Sequence, residues 1–187
     1  MSKAVSLAIS DDAAEKLCSV LIHIELGKGD ILLQEGGICD RVYYVTNGIL
    51  RQFSHKNGKE VTEHFVCEEQ FFVCLDSFFH QKPAHTVIEA LEPTLLYAIP
   101  YEPLMTLIRD CREISLLYCR IIEMMLAGIQ HKVFAFRFET ANGRYMRLLK
   151  ERPDIVQRVP LVHIASYLLM SPETLSRVRA GILNAED

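Results

Sequence analysis

Near the carboxyl end of this chain, the stretch PLVHIASYLLMSPETLSRVRAGI sets hydrogen-bonding side chains into an apolar helical pattern. Ser171 has the chemistry of an N-cap. Pro172 suits a first helical position, where its missing N–H would be unpaired anyway, and Glu173 and Thr174 follow in the first turn. Leu175, Val178 and Ile182 recur at three-four spacing and predict a buried face. The opposite face then carries Glu173, Ser176, Arg177 and Ala180. A guanidinium at Arg177 can donate two hydrogen bonds to a guanine edge, and a carboxylate at Glu173 can accept from cytosine. Arg179 and Ser171 are better suited to phosphate, which adds affinity without sequence information. Upstream, Pro160 opens a shorter helix with Ile164, Ala165 and Leu168 facing inward. Two short helices across a three-residue turn are what a helix-turn-helix requires, with the second entering the major groove by its N-terminal end. Spacing alone fits a helical hairpin with a solvated charged face equally well.

Other residue types point to less. His55, His64, His80 and His85 would have to converge to hold a metal, and the sequence has neither a His-x-His pair nor a glutamate at cupin spacing. Isolated surface or core histidines are the expectation. Six cysteines (18, 39, 67, 74, 111 and 119) include no pair at the two-residue spacing of zinc or redox motifs. Cys111 and Cys119 lie roughly 12 Å apart along a helix, too far for a disulfide within it. Cysteine usage and the absence of a signal-peptide pattern predict a reduced, cytoplasmic protein with buried free thiols. Cys74 reads either as a redox-sensitive thiol or as a buried structural one. There is no glycine-rich phosphate loop, nucleophile elbow or zinc-protease motif, and His163 with Ser166 suits helix packing as well as catalysis. No enzyme activity, cofactor or metal is expected.

The elements that must position these residues fall into two regimes. Residues 10–25 read as a helix, with Asp11 and Asp12 in its first turn. From Gly27 to Pro100 short apolar runs rich in Val, Ile, Tyr, Phe and Thr recur between turn signals: DILLQEGG, RVYYVTNG, ILRQFSHKNG, EVTEHFV, TVIEAL and TLLYAIP. Asn47-Gly48 and Asn57-Gly58 are tight-turn dipeptides, and strands at this spacing predict an antiparallel sandwich or jelly roll. After Pro100 helical periodicity takes over through Phe138. Ile114, Leu117, Ile121 and Met124 follow a three-four-three spacing, like a dimer seam or the inner face of a helix packed on its own domain. TANGRYMRLLKERP reads as a further helix, and DIVQRV as a linker. From Arg144 onward seven bases face five acids, against thirteen and nineteen in the rest, so a mildly basic tail follows an acidic front. No segment has the roughly 18 apolar residues of a membrane span.

The string IASYL…SPETLSRVR resembles the helix-turn-helix of the Crp/Fnr family of bacterial regulators. GDILLQEGG, YYVTNGILR, EEQFF and IEALEPTLLYAIP resemble, in order, pieces of that family's cyclic-nucleotide-binding β-roll. The resemblance covers nearly the whole chain and implies an α+β fold: an antiparallel jelly-roll β-barrel sensor domain over 1–112, a dimerisation helix over 113–138 and an all-α helix-turn-helix domain over 139–187. It implies a homodimer, a palindromic double-stranded DNA operator and base reading by Pro172, Glu173 and Arg177. RNA polymerase and a small-molecule effector complete the implied partners.

The chain departs from the family in three places. The cyclic AMP cassette has glycine-glutamate after paired aromatics, then an arginine. Here Phe71-Phe72 is followed by Val73 and Cys74, and Pro83, Ala84 or His85 stands at the arginine position. Lys82, the nearest cation, is a point charge and not a bidentate fork. A pocket formed by Phe72, Val73, Cys74, Leu75, Lys82, Ala84, His85 and Thr86 is not expected to bind cyclic AMP in the usual way. Leu169 stands where the family has a turn glycine, so it must find another geometry or accept strain. The sequence ends just after the recognition helix, without the wing hairpin of many members. The alternative reading is an interaction module with a degenerate helix-turn-helix, and a metal-dependent cupin-like enzyme is a third.

Overall fold

A computed structural model of the chain describes residues 9–183. They divide into two compact units, one of residues 9–52 with 65–126, the other of 53–64 with 127–183. Helix α1 (Asp11–Cys18) is capped by Ser10, whose hydroxyl accepts from the Ala13 amide at 3.3 Å. The expected helix over 10–25 therefore stops early. Ile22–Leu26 is strand β1, paired along its whole length with the strand Thr94–Pro100. A partner about seventy residues away overrides the local pattern.

The remaining strands are β2 (Ile31–Leu33), β3 (Arg41–Asn47), β4 (Leu50–Lys56), β5 (Lys59–Val66), β6 (Gln70–Phe72) and β7 (Val87–Ala90), with Thr94–Pro100 as β8. They form two four-stranded sheets, ordered β1-β8-β3-β6 and β2-β7-β4-β5. The expected closed barrel is corrected to two separate antiparallel sheets. The three-residue strands β2 and β6 each stand at one edge of their sheet. Alternation places Tyr43, Val45, Phe72, Leu96 and Ala98 of one sheet in a common core with Leu50, Ile88 and Ala90 of the other. The two dipeptides behave as their chemistry requires. Asn57 (φ 53) and Gly58 (φ 73) form the two-residue connection of β4 to β5. Gly48 (φ 95) turns β3 into β4 so close to Pro93 and Thr94 that no side chain fits.

Helices α2 (Leu75–His80) and α3 (Tyr101–Asp110) follow β6 and β8, and α4 (Arg112–Phe138) runs 27 residues. Of the four positions of the expected three-four-three spacing, Ile114 is buried, Leu117 and Ile121 face a cavity in their own unit, and Met124 is exposed. Leu126, Ile129 and Val133, again at three-four spacing, form an exposed apolar row, and Leu116, Phe134 and Phe138 are exposed as well. The period was visible in sequence; which partner it meets is a matter of tertiary placement. Four helices complete the chain: α5 (Ala141–Glu151), α6 (Pro153–Arg158), α7 (Leu161–Tyr167) and α8 (Pro172–Leu183). The expected linker DIVQRV is thus mostly helix. Pro153 sits at its start, Asp154 in the first turn and Ile155 in the core.

Candidate nucleic-acid interface and effector pocket

The α7–α8 pair is built from its buried residues outward. Ile164, Ala165 and Leu168 are buried on or just after α7, and Leu175 is buried on α8. Val178 is half-buried, and the side chain of Ile182 lies outside the described residues. Between the helices the Leu169 amide donates to the Ser166 carbonyl at 3.1 Å and the Met170 amide to the Ala165 carbonyl at 3.0 Å. This double bond pattern is a Schellman motif, whose C′ residue must be left-handed and is usually glycine. Leu169 holds that position at φ 54, so the chain takes the strained alternative and not a different turn.

Ser171 caps α8 as its sequence predicts, accepting from the Thr174 amide at 3.2 Å, and its hydroxyl lies 3.2 Å from Thr174 Oγ1. Pro172 opens the helix. Glu173 is exposed, and its carboxyl is held below the usual range by the Ser171 hydroxyl, its own amide and the nearby Arg177 charge. Ser171, Pro172, Ser176, Arg177 and Arg179 are exposed as well, and Thr174 is half-buried. The predicted reading residues therefore share the open N-terminal part of one helix, with Leu175 anchoring it from behind.

Sequence reasoning missed two supports. Arg144 on α5 donates from Nε to the Leu168 carbonyl and from Nη1 to the Glu139 carbonyl, both at 3.0 Å, clamping the turn. Nothing in the sequence marks it, because its partners are backbone atoms 24 and 5 residues away. Ser166 on α7 accepts from the Thr62 amide at 2.9 Å and donates to the Glu60 carbonyl at 3.2 Å, joining α7 to β5. Beside it, Lys132 Nζ donates to the Glu63 carbonyl and lies 4.6 Å from the Tyr167 ring centroid. Burial pulls its ammonium down to about 8.

The residues expected to line an effector pocket differ in exposure. Phe72, Val73, Cys74, Ala84 and Thr86 are buried and Leu75 is half-buried, whereas His85 and Lys82 are exposed. Lys82 Nζ sits 2.9 Å from Asp76 Oδ2, which holds the Asp76 carboxyl below its usual range. Thr86 Oγ1 accepts from Gln52 Nε2 at 3.1 Å and lies 3.6 Å from Cys74 Sγ. Arg51, the buried cation of the same unit, pairs with Glu89 at 2.7 Å. Cys39 is buried, and desolvation pushes its thiol up to about 11. Among the described residues no group of three or more His, Cys, Asp or Glu is placed to hold a metal. No described helix is long and apolar enough to cross a membrane.

Residues 23–111 match the family profile of the cyclic nucleotide-binding domain. No curated protein sequence matches the chain. Among solved structures, FixK2 from Bradyrhizobium japonicum superposes with a TM-score of 0.75 at 16% identity, covering 89% of this chain and 86% of that one. The c-di-GMP-responsive global regulator CLP from Xanthomonas campestris gives 0.72 at 16% identity, covering 95% and 93%. A transcriptional regulator of the Crp/Fnr family from Eubacterium rectale gives 0.70 at 18% identity, covering 91% and 82%.

Proposed function

From a chain whose residues 23–111 match the cyclic nucleotide-binding domain and whose fold is that of Crp/Fnr regulators, we propose a sequence-specific DNA-binding transcription regulator. In this reading residues 1–112 form the sensor, 113–138 the dimerisation helix and 139–187 the helix-turn-helix domain. The observation that carries it is the capped N-terminal turn of α8, where Glu173 and Arg177 are exposed over a buried Leu175. Arg177 reads guanine and Glu173 cytosine; Ser171, Thr174, Ser176 and Arg179 hold phosphates and set register. The exposed row Leu126, Ile129 and Val133 on α4 supports a second copy there, so the operator is palindromic, with half-sites one helical turn apart. RNA polymerase is the downstream partner.

The sensor does not take cyclic AMP in the usual way. Lys82 is held at the surface by Asp76, and the cassette's acidic position is a buried Cys74 beside Thr86. A cyclic phosphate there would be desolvated without an opposing charge.

Selection of bound fragments from a random DNA library tests the reading. A palindromic site is expected, and Arg177→Ala should weaken binding to it by about 1–3 kcal/mol while relaxing preference at one base position. Arg179→Ala should weaken all sequences alike and lower the salt dependence. Enrichment of no symmetric site, or full affinity in Arg177→Ala, would point instead to an interaction module.

A further inference from the structure

The sheet β1-β8-β3-β6 has two faces. Tyr43, Val45 and Phe72 point into the core between the sheets. The register pairs Val42 with Ile99 and Tyr44 with Phe71, which puts Val42, Phe71 and Ile99 on the opposite face. That outer face does not pack flush against the helices. A cavity partly open to solvent remains above it, bounded by Leu17 of α1, Leu104 of α3 and Ile121 and Met125 of α4. It lies within one unit of the chain, and Gln52, Thr86 and Cys74 are not among its lining residues.

Its chemistry is one-sided. No lining side chain carries a charge, and Tyr118 alone among them has a side-chain oxygen. Burial pushes that phenol further toward its neutral form. An ion placed here would lose its hydration with nothing to replace it, whereas a hydrocarbon would exchange ordered or absent water for close contacts. Apolar lining of this kind favours small uncharged guests over ions. The position also matters: Ile114, Leu117 and Ile121 of α4 form its wall, so filling it would brace the helix that continues to Val133 and beyond.

We propose that this outer-face cavity is a binding site for an uncharged, apolar small molecule of the size of one aromatic ring or a short hydrocarbon. Binding here needs no DNA, so this site and the DNA-reading assignment fail separately.

The experiment is fluorine NMR on the full chain with para-fluorotoluene as the probe and para-fluorobenzoate as its charged counterpart. Fluorotoluene should bind saturably, and fluorobenzoate at least about tenfold more weakly, since the carboxylate cannot be solvated in the site. Ile121→Phe, which fills the cavity, should weaken fluorotoluene by a similar factor, and Met124→Ala, on the exposed side of α4, should not. Millimolar cyclic AMP should leave binding unchanged. In the unaltered chain, intermolecular NOEs should run from the probe ring to the Ile121 and Met125 methyl groups, a readout that stands even where Ile121→Phe does not fold. Absence of saturable binding, equal binding of the benzoate, displacement by cyclic AMP or NOEs to other residues would overturn the assignment.

Discussion

Replacing Leu169 with glycine should make the protein more stable. Leu169 occupies the C′ position of α7 at φ 54, held there by the amide bonds of Leu169 and Met170 to Ser166 and Ala165. A side chain in that conformation crowds its own carbonyl at a cost of about 1–2 kcal/mol, which glycine does not incur. Glycine in turn frees the unfolded chain and loses about 0.4–1 kcal/mol. Leu169 is 58% exposed, so little buried surface is forfeited. The balance is a gain of about 0.5–1 kcal/mol, or roughly 1–4 °C in Tm for a chain of this size. The chain has no tryptophan, so far-ultraviolet circular dichroism during heating is the readout. Leu169→Ala is the control: it keeps the β-carbon and the strain, and should stay within about 0.5 kcal/mol of the original. A Leu169→Gly protein no more stable than Leu169→Ala would show that the turn is not strained by its side chain.

Three further outcomes follow from specific contacts. Gly48→Ala would bring a β-carbon to 2.4 Å from Thr94 Oγ1 and 2.7 Å from the Pro93 carbonyl oxygen, so a loss of about 2–4 kcal/mol is expected in urea denaturation. Gly58→Ala, with open space around it, should lose only about 1 kcal/mol. Arg144→Ala strips the Leu168 and Glu139 carbonyls of a charged donor and should lower stability by about 1–3 kcal/mol; Arg144→Lys should recover only part, because one ammonium cannot span both. In the native protein iodoacetamide should label the exposed Cys18 and Cys119 and spare Cys39, Cys67 and Cys74 until denaturant is added. The folded state holds the Cys39 proton up to about 11, above its ordinary 9.0, so that group's contribution is intact below pH 9 and falls as pH rises toward 11. Rapid neutral-pH labelling of Cys39 by peptide mapping would contradict its burial.

Local chemistry was legible in sequence where it decides geometry alone. Asn57-Gly58 can scarcely be anything but a tight turn, and Ser171-Pro172-Glu173 fixes a helix start with few competitors. Six of the eight strands were readable from β-branched runs between turn residues. β1 was not, because Ile22–Leu26 becomes a strand only by pairing with Thr94–Pro100. The three-residue β6 is too short to show a period. Arg152-Pro153 reads as a helix end, and the same proline opens the next helix. The α4 periodicity told that one face is buried and left open against what; Ile114 and Ile121 turn to their own sheet, and Leu126 to Val133 remain exposed. Around residues 82–86 the sequence shows which side chains are present but not their partners: the Lys82 charge is paired with Asp76 six residues earlier.

The Ser166 contact has a consequence for solubility. β5 is the outermost strand of β2-β7-β4-β5, and the Thr62 amide and Glu60 carbonyl belong to its outward rim. Such a rim is a template onto which a foreign strand can zip. One hydroxyl from α7 occupies two adjacent rungs of it. A chain lacking that hydroxyl would offer those rungs to its neighbours, and self-association at high concentration, more than unfolding, is where the loss would show.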